Sequence, residues 1–375
     1  LSATLLMKKV TVPRRSKFGE ILQRALAGEE LTVEEGALLL QAEGKKLQAL
    51  LQVADEVRRR RVGDIVTYVK NRNINFTNIC RGSCRFCAFR RSPGDPEAYV
   101  LSPEQIEAKV AEALEIGATE VCVQGGLHPD FRLEDYLQIL RAIRRAAPEI
   151  HIHAFSPSEI NHIAERENMG LEEVIQALKR EGLNSVPGTA AEILVDRVRS
   201  IICPEKISTE QWIRTIKTCH RLGLPTTATV MYGHVETPLE LAQHISIIRE
   251  IQKETWGFTE FVLLGFMSRN TPLGREFKLE PAPNLVQSLR LHAVARLMLA
   301  GYVDNIQASW VKLGPRGAQL MLRAGANDLG GTLMEEHITR AAGGSLDSMS
   351  AEQLERLILE MGRIPRQRTT TYELI

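Results

Sequence analysis

From position 18 to about 64, apolar residues recur at three- and four-residue steps, and Leu47, Leu50, Leu51, Ala54 and Val57 form one such stripe. That spacing predicts amphipathic helices. The segment 1–64 therefore reads as an N-terminal helical cap. It ends in the arginine run 58–61, cations that suit the negative end of a helix dipole and predict a solvated helix end rather than a nucleic-acid patch.

Beyond this cap the period changes. Short runs rich in β-branched residues at 65–76, 120–124, 150–155, 183–186, 226–231, 258–265, 305–311 and, weakly, 324–327 alternate with amphipathic helical stretches. Repeated βα units predict a parallel sheet. Their number points to a (β/α)8 TIM-type barrel over 65–349, or to an incomplete barrel with a trailing extension. A further helix at 351–361 and a polar end make up 350–375.

Composition narrows the function class. With 44% hydrophobic and 25% charged residues, the 375-residue chain can bury a large core. A net charge of +1 supplies no overall attraction to nucleic acid or to an anionic membrane. No apolar run is long enough to cross a bilayer, and the first twenty residues lack the core and cleavage site of a signal peptide. A cytoplasmic protein acting on small molecules is expected. Its cysteines are then expected to be reduced.

Polar residues gather where each predicted strand stops: Gln124-Gly-Gly, 153–156, Pro187-Gly-Thr, Tyr232-Gly-His234, Gln307 and Asn327-Asp328. In a barrel, such strand ends form the rim on which active sites are built.

The sharpest chemical signal follows the first predicted strand. In NFTNICRGSCRFCAF, Cys80, Cys84 and Cys87 stand with three and then two residues between them. Thiolates match iron, and three of them leave one iron of a 4Fe-4S cubane free. With an aromatic before the last cysteine, the free iron is where S-adenosylmethionine would chelate, and reduction of its sulfonium would yield a 5′-deoxyadenosyl radical. Structural zinc is the alternative. Its fourth ligand would have to come from the isolated Cys122, His128 or His153. Gly125 and Gly126 would let a ligand approach the backbone after Gln124. Phe86 is placed against the adenine, while Phe89 is read as a packing aromatic. Cys122, Cys203 and Cys219 read as small buried hydrophobes.

Two histidine groups stay open. His151 and His153 share one side of the third strand, as a metal or acid–base pair or as hydrogen-bonded core residues. His234 and Glu236 form a proton-handling pair, or Glu236 and Thr237 serve the entry of a helix.

These residues carry a resemblance over about 71–372. The segments NINFTNICRGSCRFCAFRR, EVCVQGGLHPD, IHIHAFSPSEI, PGTAAEILVDRVR, TTATVMYGHVET, GFTEFVLLGF, NIQASWVKLG and GANDLGGTLMEE resemble the radical S-adenosylmethionine family of tyrosine-using FO synthase subunits, the 5-amino-6-(D-ribitylamino)uracil:L-tyrosine 4-hydroxyphenyl transferases of deazaflavin cofactor biosynthesis. Most are shared with menaquinone-pathway enzymes such as dehypoxanthine futalosine cyclase. PGTAAE at 187–192 and GANDLGG at 325–331 favour the transferase form. A non-catalytic metal-binding scaffold is the alternative from another class.

The resemblance implies that the radical oxidises tyrosine at its amine, that the Cα–Cβ bond breaks, and that the p-hydroxybenzyl fragment joins C5 of the aminouracil. It also implies a reducing electron donor and a second radical subunit that completes FO. Leu127 stands where the family's acidic residue usually follows the paired glycines. On strand-end position, Asn75, His153, Asn184, His234, Gln307, Asn327 and Asp328 are substrate candidates. Ser156 and Glu192 join the cofactor group, Glu192 at the adenosine ribose or, alternatively, capping the next helix.

Overall fold

The computed structural model describes residues 16–375. The expectation that no leader opens the chain falls mostly on residues outside the described ones. Nine strands are described: β1 Ile65–Val69, β2 Asn71–Ile74, β3 Glu120–Val123, β4 His151–Ala154, β5 Thr226–Tyr232, β6 Phe258–Gly265, β7 Ile306–Ala308, β8 Asp328–Gly331 and β9 Ile364–Gln367. They form one sheet in the order β5-β6-β7-β8-β1-β9 and another in the order β2-β3-β4, with every strand pair parallel.

The two sheets are one barrel wall. The first predicted strand is interrupted at Lys70, so β1 pairs with β8 and β9 while its continuation β2 pairs with β3. On the far side, single bridges from His153 to Ser185 and from Val186 to Thr226 carry the wall from β4 to β5. The fourth predicted strand is thus reduced to two bridged residues. The ring has the eight staves predicted, counting β1 and β2 as one stave and 185–186 as another.

Local sequence explains the alternation. Helices at Pro103–Glu115, Pro157–Glu167 and Pro238–Thr255 each begin with Ser or Thr at the N-cap, Pro at the first position, and Gln or Glu three residues after the cap. The cap side chain takes one orphan N–H, the Gln or Glu takes the cap's own, and proline loses no bond there.

The N-terminal segment forms three helices, Lys17–Ala27, Val33–Leu39 and Gly44–Val62. Their apolar stripe packs in one core with residues of Pro238–Thr255 and Leu285–Leu299. Of the arginine run, Arg58 departs from the expected solvated end: it is fully buried, with Nε on Asp55 at 2.8 Å and its guanidinium on Asp64.

Two differences lie near the C-terminal end. The last stave starts at Asp328, later than the 324–327 expected from the sequence. The tail expected only as a polar end adds β9 beside β1 and then crosses the interior. There, Arg368 Nε donates to Asp328 Oδ2 at 2.6 Å, and Nη2 to Glu260 Oε2 at 3.2 Å. Tyr372 Oη donates to Glu260 at 2.5 Å, and Thr370 Oγ1 to Glu120 at 2.5 Å. Asp328 and Glu120 open their strands, so this network is the barrel floor, opposite the rim.

Candidate active site

The Cys80, Cys84 and Cys87 loop leaves β2 and folds back on itself. Cys80 N donates to Arg91 O at 3.1 Å, and Cys87 N donates to Cys84 O at 3.1 Å. Arg81 N donates to Leu127 O and Arg85 N to Ile202 O, each at 2.9 Å, which anchors the loop to two neighbouring rim segments. All three thiols are unbridged and line one cavity of about 260 Å³. Burial pushes the Cys84 thiol up to about 12, against the pull of the Lys206 ammonium, and raises Cys87 in the same direction.

The glycines close this wall by contact. A side chain on Gly126 would start 2.2 Å from Ile79 O and 2.9 Å from Cys80 Cβ, and one on Gly125 would start 2.6 Å from the Phe76 ring. Only hydrogen fits at either position. Gly125 N donates to Glu159 Oε1 at 3.1 Å and Ser156 N to Glu159 Oε2 at 2.6 Å. Burial pushes the Glu159 carboxyl up to about 7 in spite of these N–H donors. Glu159 is a site residue the sequence reading missed, although its place in the SPSE cap signal could have flagged it.

The remaining cofactor candidates come together at the same cavity. Phe86, Gln124, Ser156 and Glu192 all line it. Gln124 Oε1 accepts from Thr189 Oγ1 at 3.2 Å. Glu192 caps no helix: its Oε1 receives the Lys206 ammonium at 2.6 Å, and that ammonium lies 5.2 Å from the Phe86 ring centre. Cys203 and Cys219 are buried, as expected of small hydrophobes, whereas Cys122 is only part-buried.

The substrate candidates separate. Asn75 lines the cavity, and its Oδ1 is buried without a hydrogen-bond partner among the described residues. Gln307 faces a side chamber of about 120 Å³ that shares Leu264 and Lys312 with the main cavity. The others are held elsewhere. Asp328 is locked to Arg368 and Thr67 in the floor. Asn327 Oδ1 accepts from Arg296 Nη2 at 2.7 Å and Ile306 N at 2.9 Å.

Asn184 is exposed and accepts from Ile152 N at 2.8 Å and from the Arg144 guanidinium. His153 Nδ1 lies 2.7 Å from Ser185 Oγ, and burial pushes its imidazole down to about 4, so it is a neutral, hydrogen-bonded core residue. His234 Nε2 is 2.9 Å from Met231 O and Nδ1 is 3.0 Å from Glu236 Oε2, inside a buried turn that does not line the cavity. Thr237 is the cap of the helix that follows.

The donor set fits an iron–sulfur cubane better than a zinc ion. Among the described residues, no group of three or more His, Cys, Asp or Glu side chains converges on a single-ion site. Three thiols from one loop on one cavity, with no fourth ligand among the described residues, would suit a cubane that keeps one iron open.

Relatives with curated names decide the family. The 5-amino-6-(D-ribitylamino)uracil–L-tyrosine 4-hydroxyphenyl transferase of Methanothermobacter thermautotrophicus is 47% identical over 362 residues, 96% of this chain and 98% of its own. A protein of that name from Methanosarcina barkeri is 52% identical over 358 residues, covering 94% of this chain and 93% of its own. The chain belongs to this family. Residues 74–248 match the radical SAM superfamily and 255–375 match the CofH/MqnC C-terminal region.

Among solved structures, methylornithine synthase superposes with a TM-score of 0.71 at 18% identity, covering 92% of this chain and 97% of its own. The FeFe-hydrogenase maturase of Carboxydothermus hydrogenoformans gives 0.72 at 16%, covering 94% and 80%. Both support the barrel for this family member. The C-terminal match includes β9 and the floor residues Glu260, Asp328, Arg368 and Tyr372, so the crossing tail lies within a matched segment.

Proposed function

We propose that the chain is a radical S-adenosylmethionine transferase that joins the p-hydroxybenzyl group of L-tyrosine to C5 of 5-amino-6-(D-ribitylamino)uracil. The carrying observation is the three-thiol loop lining one cavity with the glycine wall, in a chain about half identical to transferases of that name. Cys80, Cys84 and Cys87 would hold a 4Fe-4S cluster, and with S-adenosylmethionine this supplies a 5′-deoxyadenosyl radical.

The chain's own residues then have three tasks. The glycine wall admits a ligand close to the cysteine loop. Phe86, backed by the Lys206–Glu192 pair, offers an aromatic face and a carboxylate for adenosine. The walls at Met231, Leu264 and Phe266 exclude water from a reactive carbon radical. Asn75 Oδ1, an acceptor without a partner among the described residues, is suited to a substrate N–H. The reaction also requires a reducing donor, and its product would pass to a second radical subunit.

Anaerobic reconstitution with iron and sulfide, reduction, and addition of S-adenosylmethionine, tyrosine and the aminouracil tests this reading by mass spectrometry. A hydroxybenzyl–uracil adduct with 5′-deoxyadenosine is expected. Radical cleavage without the adduct would direct attention to a futalosine-type substrate. Neither product from a cluster-loaded sample would overturn the reading.

A further inference from the structure

The cavity presents two lysines, and they are not equivalent. Lys206 is committed to Glu192. Lys312 also lines the cavity, yet among the described residues it has no carboxylate within ion-pair distance, and its one hydrogen bond runs to Thr339 Oγ1 at 2.6 Å. Glu336 acts on it only through its field, from beyond ion-pair distance, while its Oε1 accepts from Ile338 N at 2.9 Å and Thr339 N at 3.1 Å.

The backbone sets this lysine in place. Trp310 fixes the turn by donating Nε1–H to Gly331 O at 3.0 Å. Gly314, at φ 71°, and Pro315 then break the helix just beyond Lys312. Lys312 thus sits on a short helical turn after β7, on a different wall from the cysteine loop. Burial pushes the ammonium down, a cost that an anionic ligand would offset.

We infer that Lys312 binds the carboxylate of an α-amino acid inside the cavity, and that this carboxylate belongs to tyrosine. The inference rests on the proposed function and adds a substrate contact to it. Of the reactants, the ribitylaminouracil carries no carboxylate. S-adenosylmethionine carries one, but its amino-acid end belongs at the open position of the cysteine loop. Tyrosine's carboxylate is the remaining anion. Of the other cations at the cavity, Lys206 is paired with Glu192, and Arg90 is an exposed residue of the cysteine loop whose Nε donates to Cys80 O at 3.2 Å, which leaves Lys312 as the part-buried cation away from that loop.

The test compares reconstituted wild type with Lys312→Met and Lys312→Arg, after checking that iron and sulfide content and circular dichroism are unchanged. Equilibrium binding of L-tyrosine and of tyramine, which lacks the carboxylate, is measured with S-adenosylmethionine present and reductant absent. Steady-state KM values for tyrosine and S-adenosylmethionine follow.

Wild type should prefer tyrosine to tyramine. Lys312→Met should weaken tyrosine about tenfold to a hundredfold, bring it level with tyramine and leave KM for S-adenosylmethionine unchanged. Lys312→Arg should recover part of the loss. An unchanged tyrosine affinity in Lys312→Met would overturn the inference, as would a rise confined to KM for S-adenosylmethionine, which would give the lysine to the cofactor's carboxylate. If wild type makes no adduct, the proposed function itself fails, a result separate from either.

Discussion

Arg368 and Asp328 meet inside the barrel with Nε 2.6 Å from Oδ2, and their side chains are 2% and 0% exposed. Glu260 completes the group beneath the cavity. Replacing Arg368 by Met would leave two carboxyls buried without their counter-charge, with an expected loss of about 3–5 kcal/mol. Denaturant unfolding measures it. Arg368→Met combined with Asp328→Asn should recover part of the loss, because one uncompensated charge is then gone.

Asp328→Ala should behave as a stability variant and not as a binding variant. Its expected signature is a lower denaturation midpoint with KM for tyrosine and for the aminouracil unchanged in the folded protein. A selective rise in either KM would return Asp328 to the substrate site.

Gly126→Ala tests the glycine wall. The added methyl would collide with Ile79 O and Cys80 Cβ, so the cysteine loop must move. Iron and sulfide per chain and the yield of 5′-deoxyadenosine should both fall, while circular dichroism at the barrel's helical bands stays near that of wild type. The same change at exposed Gly28, where no atom of the described residues lies within 4 Å of the added carbon, is the control: it adds strain at a positive φ without touching the loop.

Glu159 makes stability depend on pH in a stated direction. Its carboxyl is held up to about 7 by burial, so between the unfolded value near 4.5 and 7 the folded chain binds more protons than the unfolded one. Stability from this group is full below the unfolded value and is lost as pH rises toward 7, by roughly 3 kcal/mol at most. Unfolding at pH 5 and pH 7.5 should show a smaller decline in Glu159→Gln than in wild type.

Much of the fold was legible because its determinants are local. The β-branched runs at 120–124, 226–231 and 258–265 became β3, β5 and β6 nearly as read. The cysteine loop was legible because the spacing itself is the chemistry. The substrate residues were harder, for reasons of register. Placing the last stave at 324–327 puts Asn327 and Asp328 at its end, on the rim, but the strand starts at Asp328, which sends that side chain to the floor.

The segment RIPRQRTTT reads only as a polar end because a strand and crossing tail that enter a polar floor have no apolar alternation to show. Lys312 left no signal at all. A single lysine before Gly-Pro looks like solvated surface until the kink turns it toward the cavity.

The crossing tail bears on the order in which the molecule assembles. β9 pairs with β1 across 299 positions, Ile65 to Ile364, and contacts between such distant segments are slow to form because a large loop must close first. The β2–β3 pairing beside the cysteine loop spans far less sequence. During synthesis the cysteine loop can therefore acquire its neighbours while the chamber beneath it still stands open to water, and the floor is completed only when residues 364–372 arrive.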